Sequence, residues 1–420
     1  MYEINNNIKL NIMQYGTADI AKISLPKKGI PLDDRRRDGK RIEWKTKKRD
    51  SLRLSESLQR LAKEHPAERH IFAHKAENVA CCASFLKYNP TADGNMVLNQ
   101  AMFCKNPLCP ICMWRKSEKL YNQTKTIIDH LEKNLEKKKD EHAYIFLTLT
   151  IKNVPYEGLE GAFNQLMKAW NKLTKKTVFR KMSKGYIRVM ETTTKLSERE
   201  FHPHIHAMIA VDPEYLSERE NYIDHGTFKA LWQECLDVDY DPWIFVQRII
   251  KRKGKGLGGR FKHSNKPISY AAAIAEMAKY TTKVNDFIVP WDDKQALGKF
   301  ESNCGFKVES RKHAEKLTDE IVYWLGNAMY NRRCIGFGGV FRKAKKELML
   351  EDIEKSSLID TDGDKEKSSV LTDIFIDSVW DRGARDYKLY RMYRFVGNNR
   401  EEMPLELYYD IVFKKPPPEG

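Results

Sequence analysis

The pattern of apolar and polar positions divides the chain into alternating helical and extended segments. Apolar residues spaced three or four positions apart predict helices over 51–65, 113–140, 157–176 and 268–283. Apolar and β-branched runs predict strands over 144–151, 185–193, 202–211 and 243–250. The charged loop TKLSERE joins the second and third of these strands, which predicts a hairpin. This order predicts an α+β fold with a central, mainly antiparallel sheet flanked by helices.

The two ends of the chain differ from its middle. Residues 1–50 are rich in charge and lack sustained periodicity, which predicts a flexible basic arm. We expect a helix, a cysteine-rich region and a long helix over 51–140, followed by the α+β domain over 141–345. Residues 346–420 begin with the acidic stretch LEDIEKSSLIDTDGDKEKSSV, which predicts a linker before a small C-terminal segment.

The charge balance favours a polyanionic partner. The 420 residues include 74 Lys and Arg against 58 Asp and Glu, a formal charge of +16, and such an excess suits nucleic acid. No stretch approaches the roughly 18 consecutive apolar residues of a membrane span. The N-terminus lacks the basic, apolar and small-residue series of a secretory signal. We therefore expect a cytoplasmic protein that binds DNA and has no membrane partner.

Five of the eight cysteines lie close together. Cys104, Cys109 and Cys112 form C-x4-C-x2-C, and Cys81 or Cys82 lies about twenty residues upstream, a spacing that a tetrahedral four-cysteine zinc site can close. Four thiolates leave no open coordination position, so such an ion would be structural Zn²⁺. Reduced, buried thiols are the alternative interpretation.

The segment FHPHIHAMIAV, residues 201–211, places histidines at alternate positions. Side chains two apart in a strand share a face and lie about 6.6 to 7 Å apart, so His204 and His206 can lean onto one divalent cation. We expect the third ligand to be Glu191, at the end of the partner strand. Two imidazoles and a carboxylate suit Mn²⁺, Mg²⁺, Fe²⁺ or Zn²⁺ and leave room for a substrate oxygen. His202 as the second imidazole is an alternative, and so are half-exposed histidines without a ligand.

The predicted helix over 268–283 carries Glu276 and Tyr280 four residues apart, with Lys283 near the next turn. A tyrosine hydroxyl near a phosphodiester can act as nucleophile, and Lys283 would favour its phenolate form. Glu276 could serve as general base for a water molecule. The same pattern also fits a solvated or packing face of a helix.

The segment RIIKRKGKGLGGRFKHSNK, residues 248–266, holds eight basic residues, four glycines and no acid. Release of counterions by such a loop would give strong, salt-dependent DNA affinity. The alternative is a disordered, solvated hairpin tip. The candidate DNA-binding residues are Arg248, Lys251, Arg252, Lys253, Lys255, Arg260 and Lys262.

Four motifs occur in a fixed order: MFCKNPLCPICMWRK (102–116), FLTLT (146–150), HPHIH (202–206) and EMAKYTTK (276–283). With them the chain resembles the HUH endonucleases, and more narrowly the rolling-circle plasmid replication initiators that use one tyrosine and a catalytic glutamate. The resemblance covers roughly residues 80–345. It implies the HUH endonuclease fold with an N-terminal zinc knuckle, in which Cys82 rather than Cys81 matches the family's cysteine.

The resemblance also implies a mechanism. Tyr280 would attack one strand at a plasmid's double-strand origin, become joined to the 5′ phosphate and leave a free 3′ hydroxyl. Glu276 would assist the final cleavage and rejoining, and His204 and His206 match the family's ligands for Mn²⁺ or Mg²⁺. The implied partners are origin DNA, single-stranded at the nick, and a host helicase and DNA polymerase. A homodimer is compatible with this interpretation.

Two other functions remain as alternatives. An HUH transposase or relaxase of a mobile element would use the same chemistry on a different DNA. A non-catalytic zinc-knuckle DNA-binding regulator would use the histidines and Tyr280 only for packing. Metal-dependent nicking of supercoiled plasmid separates this regulator from the enzymes.

Overall fold

The structure of the chain is a computed structural model that describes residues 29–35, 41–92, 94–133, 142–216, 223–250, 267–279, 284–361 and 370–413. The strands are β1 (Ile30–Pro31), β2 (Phe85–Pro90), β3 (Met96–Ala101), β4 (Ala143–Thr150), β5 (Val154–Pro155), β6 (Ser183–Lys195), β7 (Glu200–Val211), β8 (Ile244–Ile250), β9 (Ile268–Ser269), β10 (Ile335–Gly338), β11 (Ile374–Asp381), β12 (Asp386–Val396) and β13 (Asn399–Met403). The α-helices are α1 (Trp44–Glu64), α2 (Arg69–Cys81), α3 (Pro110–Lys133), α4 (Leu159–Leu173), α5 (Thr177–Met182), α6 (His225–Leu236), α7 (Tyr270–Ala278), α8 (Lys294–Cys304), α9 (Arg311–Ala328) and α10 (Gly339–Glu347). Among the described helices, none is long and apolar enough to cross a membrane.

A seven-stranded sheet forms the centre of one compact unit, which comprises Arg53–Ala76 and Lys105–Gly363. Its strand order is β10-β6-β7-β4-β8-β9. Strand β5 pairs with the first residues of β7, before the stretch of β7 that pairs with β4. The pairs are antiparallel except β8 with β9. Strand β4 is buried from Tyr144 to Thr150, as expected for a long apolar strand inside a sheet. The predicted α+β class with antiparallel pairing is therefore confirmed.

The predicted hairpin is the pair β6 and β7, in which Glu191 lies opposite His204 and Val189 lies opposite His206. Both strands extend beyond the predicted bounds because the β-branched run after Glu191 continues the ladder to Lys195. Side chains alternate between the two faces of a strand. Glu191 and the two histidines therefore share one face, and Arg188 points to the other.

Helices cover both faces of this sheet. On the face opposite the histidines, Trp170 of α4 packs edge-on against Tyr186 of β6, with ring centroids 4.9 Å apart. On the histidine face, α7 packs against β7 and β8, and Tyr270 of α7 contacts Tyr144 of β4 with centroids 5.4 Å apart. This arrangement places the helix that carries Glu276 over the strand that carries the histidines.

The other compact unit comprises Met1–Leu52, Glu77–Cys104 and Asp364–Gly420. Its six-stranded sheet has the order β1-β12-β11-β2-β3, with β13 paired to β12. The aromatic residues Trp44, Tyr88 and Tyr387 are buried in it. Asp34 accepts hydrogen bonds from the Trp44 indole at 2.7 Å and from the Tyr88 hydroxyl at 3.1 Å, so these two buried donors are satisfied.

Within the described residues, helices α1 and α7 are among those that differ from their predicted bounds. Helix α1 begins at Trp44 rather than at Ser51, because the lysines and arginine before Ser51 are good helix formers. Ser51 is not a cap, since its Oγ donates to the carbonyl of Lys47 inside the helix at 3.0 Å. Helix α7 ends at Ala278, because Lys279 has the extended ψ of 98°, whereas the predicted helix reaches 283.

The domain boundaries stay a prediction. Residues 1–28 and 36–40 of the predicted arm lie outside the described residues, as do 362–369 of the predicted linker. Inside the predicted arm, the described part contains β1 and the first turns of α1. Inside the predicted C-terminal segment, β11 pairs with β2 and β12.

Candidate metal centre

Glu191, His204 and His206 come together on the histidine face of the sheet. Their ligand atoms all lie within 4.8 Å of one another, and all three side chains are buried. Glu191 Oε2 lies 3.5 Å from His206 Nε2 and 3.8 Å from His204 Nε2. The β6–β7 register produces this grouping, because the carboxylate and His204 are directly paired residues.

Hydrogen bonds orient both imidazoles. His204 Nδ1 lies 3.0 Å from the carbonyl oxygen of His202, and a carbonyl can only accept, so Nδ1 carries the proton. His206 Nδ1 lies 3.0 Å from the hydroxyl of Thr148 on β4, which faces it across the β4–β7 ladder. The Nε2 lone pair of His204 can therefore bind a cation, and that of His206 can do so in the tautomer whose Nδ1–H donates to the Thr148 hydroxyl.

The donor set fits one divalent cation. Ligand atoms about 2.1 Å from one ion lie roughly 3.0 to 3.4 Å apart at octahedral or tetrahedral angles, so the two distances from Glu191 to the imidazoles require shifts of only a few tenths of an ångström. Among the described residues, the buried Glu191 Oε2 has no hydrogen-bond partner. A buried carboxylate oxygen without a donor is costly, and a cation between it and the imidazoles would remove that cost.

His202 lies outside this group. Its Nδ1 donates to the side-chain oxygen of Asn153 at 2.7 Å, and Asn153 in turn donates to Glu200 at 3.0 Å. Burial, followed by the neighbouring charges of His204 and Lys195, lowers the pKa of His202 to about 4. His202 is therefore neutral near pH 7, and its side chain binds Asn153 rather than the metal group.

The predicted catalytic residues fall partly within the described chain. Glu276 lies on α7 and is 8% exposed, and Lys279 Nζ forms an ion pair with its Oε2. Tyr280 and Lys283 lie outside the described residues. Lys279 is a residue that sequence reasoning missed, although its three-residue spacing from Glu276 was available as a signal.

Of the predicted DNA-binding residues, Arg248 is exposed on β8. The other six lie within residues 251–266, outside the described chain. An aromatic pair lies at the start of β8: the rings of Trp243, the residue before the strand, and Phe245 are stacked, with centroids 5.9 Å apart and an interplanar angle of 4°, and Trp243 is 48% exposed. Phe245 is paired with Thr148, which is paired with His206, so this aromatic pair shares the histidine face.

The four predicted zinc ligands also come together. Ligand atoms of Cys82, Cys104, Cys109 and Cys112 lie within 4.8 Å of one another. Cys82, Cys109 and Cys112 are buried and Cys104 is half-buried. Cys81, the alternative to Cys82, is not a member of this group. Four cysteine sulfurs at this separation could hold one tetrahedral zinc ion.

Comparison with known proteins identifies the family of the chain. A family described as "Replication protein" matches residues 95–388. The chain is 31% identical over 355 residues to "Protein rep" of Streptococcus pneumoniae serotype 2 (strain D39 / NCTC 7466), which covers 84% of this chain and 94% of that protein. It is 28% identical over 363 residues to "Protein rep" of Bacillus amyloliquefaciens, covering 85% and 97%. No solved structure matches the chain. On the extent of these matches, the chain belongs to the replication protein family.

Proposed function

We propose that the protein initiates rolling-circle replication of a plasmid by nicking one strand of the origin, as an HUH endonuclease. The observation that carries the proposal is the buried group of Glu191, His204 and His206 with its inward-facing Nε2 atoms. Membership of the replication protein family supplies the biological setting. The formal charge of +16 suits a DNA substrate.

Glu191, His204 and His206 would hold a divalent cation, Mn²⁺ or Mg²⁺. When bound, such a cation withdraws charge from a phosphodiester oxygen and so favours attack at phosphorus. The protein's contribution is to preset the ligands. Burial excludes water from the carboxylate, the His202 carbonyl fixes the tautomer of His204, and the Thr148 hydroxyl can accept from the Nδ1–H of His206 in the tautomer that binds.

Tyr280 is the proposed nucleophile. Its phenolic oxygen would form a bond to the phosphorus of the scissile phosphodiester while the bond from phosphorus to the 3′ oxygen breaks. The proton lost by the tyrosine balances the proton gained by the released 3′ hydroxyl. The DNA is then joined through its 5′ phosphate to Tyr280, and the ester retains the energy needed for rejoining.

Glu276 is the proposed general base of the terminating cleavage. It is buried, and α7 packs against β7, the strand of the histidines. Lys279 forms an ion pair with its Oε2, and a carboxylate held in this way can accept a proton from water. A glutamate in place of a second tyrosine would release the protein after one round of replication.

Trp243 and Phe245 would hold the bases next to the nick. Strands in a sheet are about 4.8 Å apart, so Phe245, two strands from His206 on the same face, lies roughly 10 Å from it. An extended single strand of DNA covers that distance with about one to two nucleotides. Stacking of a base on an exposed indole is tolerant of sequence and favours single-stranded DNA.

The decisive experiment incubates the full-length protein with Mn²⁺ and a single-stranded oligonucleotide that spans the origin of its own plasmid. We expect a denaturation-resistant protein–DNA adduct that is lost in Tyr280→Phe and retained in Tyr330→Phe. Tyr330 is the matched control because its side chain is 65% exposed. An adduct of equal yield in Tyr280→Phe would contradict the assignment of the nucleophile, and nicking without Mn²⁺ or Mg²⁺ would contradict the metal assignment.

A further inference from the structure

A cavity of about 500 Å³ lies beside the edge strand β10, away from the metal centre. Its walls come from β6, β10, α10, the end of α4 and the segment 352–354. Two residues of β6 border it, Tyr186 and Arg188. Arg188 is three positions from Glu191 and so points to the opposite face of the sheet. The volume is within the range of small-molecule sites, about 300 to 1,000 Å³.

Arg188 is a buried cation in the wall of this cavity. It is 7% exposed, and its Nη1 donates to the carbonyl of Cys334 at 3.0 Å. Among the described residues it forms no ion pair. The charge of Glu354 favours the charged guanidinium and so raises its pKa, but this carboxylate lies beyond ion-pair distance. Burial lowers the pKa of Arg188, which reflects a guanidinium held without a matched anion.

The two carboxylates of the cavity are already engaged. Arg333 forms an ion pair with Asp352 and lies 3.5 Å from Glu354 through its Nε. Glu354 also accepts from the backbone N–H of Cys334 at 2.9 Å. The cavity wall contains four cationic side chains and two carboxylates, so an excess of positive charge remains at Arg188, Arg342 and Lys345.

The cavity also offers rings and a further donor. Lys345 Nζ lies 4.6 Å from the centroid of the Phe337 ring, which borders the cavity. The Nε1–H of Trp170 is buried and, within the described part of the chain, lacks an acceptor. Unmatched donors and aromatic walls together favour a ligand that has both oxyanions and a flat ring.

We propose that this cavity is a nucleotide-binding site in which Arg188, Arg342 and Lys345 hold a phosphoryl group and the aromatic wall holds the base. The planar fork of a buried arginine is suited to two phosphoryl oxygens. The nucleotide could be free or part of a DNA strand, because both present the same phosphate and base. This site is independent of the cleavage chemistry at the metal centre.

The test is equilibrium dialysis of radiolabelled thymidine 5′-monophosphate against the full-length protein, with inorganic phosphate and unphosphorylated thymidine as comparison ligands. We expect binding of the monophosphate that weakens at least tenfold in Arg188→Met and severalfold in Arg342→Gln. Arg180→Gln should bind normally, since Arg180 is an exposed arginine of α5 outside the cavity. His204→Ala should also bind normally, which separates this site from the metal centre.

Two outcomes would overturn the proposal: no retention of the monophosphate by the native protein, or equal retention by native protein and both cavity variants. Arg342 is exposed, so Arg342→Gln keeps the test valid if the buried substitution prevents folding. Competition by unlabelled oligothymidylate then identifies the source. Displacement at low oligonucleotide concentration assigns the site to a DNA strand, and resistance to displacement assigns it to a free nucleotide.

Discussion

Substitution of Thr148 by valine tests whether the hydroxyl positions His206 for a metal. The Thr148 hydroxyl lies 3.0 Å from His206 Nδ1, and the threonine is 2% exposed, so water cannot replace it. In the metal-bound tautomer, Nδ1–H donates to this hydroxyl and Nε2 faces Glu191. Valine has almost the same shape but cannot accept that hydrogen bond.

The magnitude follows from the burial of the donor. A buried N–H left without a partner costs about 1–3 kcal/mol, and loss of a hydrogen-bond partner of a ligating histidine typically weakens metal binding about 10- to 100-fold. These two figures agree, because a 10- to 100-fold change in affinity is about 1.4 to 2.7 kcal/mol. We therefore expect the Mn²⁺ dissociation constant to rise by a factor in this range.

The assay is calorimetric titration of metal-free protein with Mn²⁺, alongside urea unfolding of each variant without metal. Thr150→Val is the matched control, because Thr150 is on the same strand, is 3% exposed, and donates instead to the carbonyl of Trp243 at 2.7 Å. Thr148→Ser should restore affinity, since it returns the hydroxyl. If the valine variants at 148 and 150 bind Mn²⁺ equally well, Thr148 does not position His206.

Three further changes test other parts of the structure. In Gly339→Ala the new Cβ would lie 2.0 Å from a backbone carbonyl oxygen, at a residue with a φ of +53°. Urea unfolding should therefore show destabilisation of more than about 1 kcal/mol. The control Gly298→Ala, in helix α8 with no described atom within 4 Å of the new Cβ, should stabilise the protein by about 0.5–1 kcal/mol. Cys109→Ser should abolish bound zinc measured by atomic absorption, whereas Cys235→Ser should retain it, and equal zinc content would contradict the four-cysteine site. Asp224 caps α6, and hydrogen bonds from the first turn lower its pKa from the usual 3.8. Its contribution to stability is present above pH 3.8 and is lost as pH falls through the lowered pKa, so Asp224→Ala should lower the Tm at pH 7, and the difference from the native protein should shrink only in acid below pH 3.8.

The sequence predicts the ligand face of the metal centre but not what supports it. Alternation along one strand is local, so it places His204 and His206 together, and the short hairpin connection brings Glu191 opposite them. Thr148 lies in an apolar run on β4, and its pairing with His206 depends on a contact 58 residues apart in the chain. The role of Thr148 is therefore visible only in the folded structure.

Arg188 illustrates a different limit. Arginine is seldom buried, and in the segment GYIRVME it has the appearance of one solvent-facing residue in a half-exposed strand. Its burial results from the packing of β10 and α10, more than 140 residues later in the chain, beside β6. The sheet of the other unit is equally hard to predict from the sequence, since β11 pairs with β2 across almost 300 residues. Strand propensities of single residues do not indicate which strands pair over such a distance.

The register of β6 also positions the candidate metal ligand Glu191. A shift of one residue in the β6–β7 register would exchange the two faces of β6. Glu191 would then be turned toward the face on which α4 packs, and Met190, now fully buried, would take its place beside the imidazoles. A carboxylate buried without a partner costs several kcal/mol, and the apolar residues of β6 would lose their contacts at the same time. The register that buries the core is therefore the same register that assembles Glu191, His204 and His206, so a substitution that weakens the apolar face of β6 should also weaken metal binding.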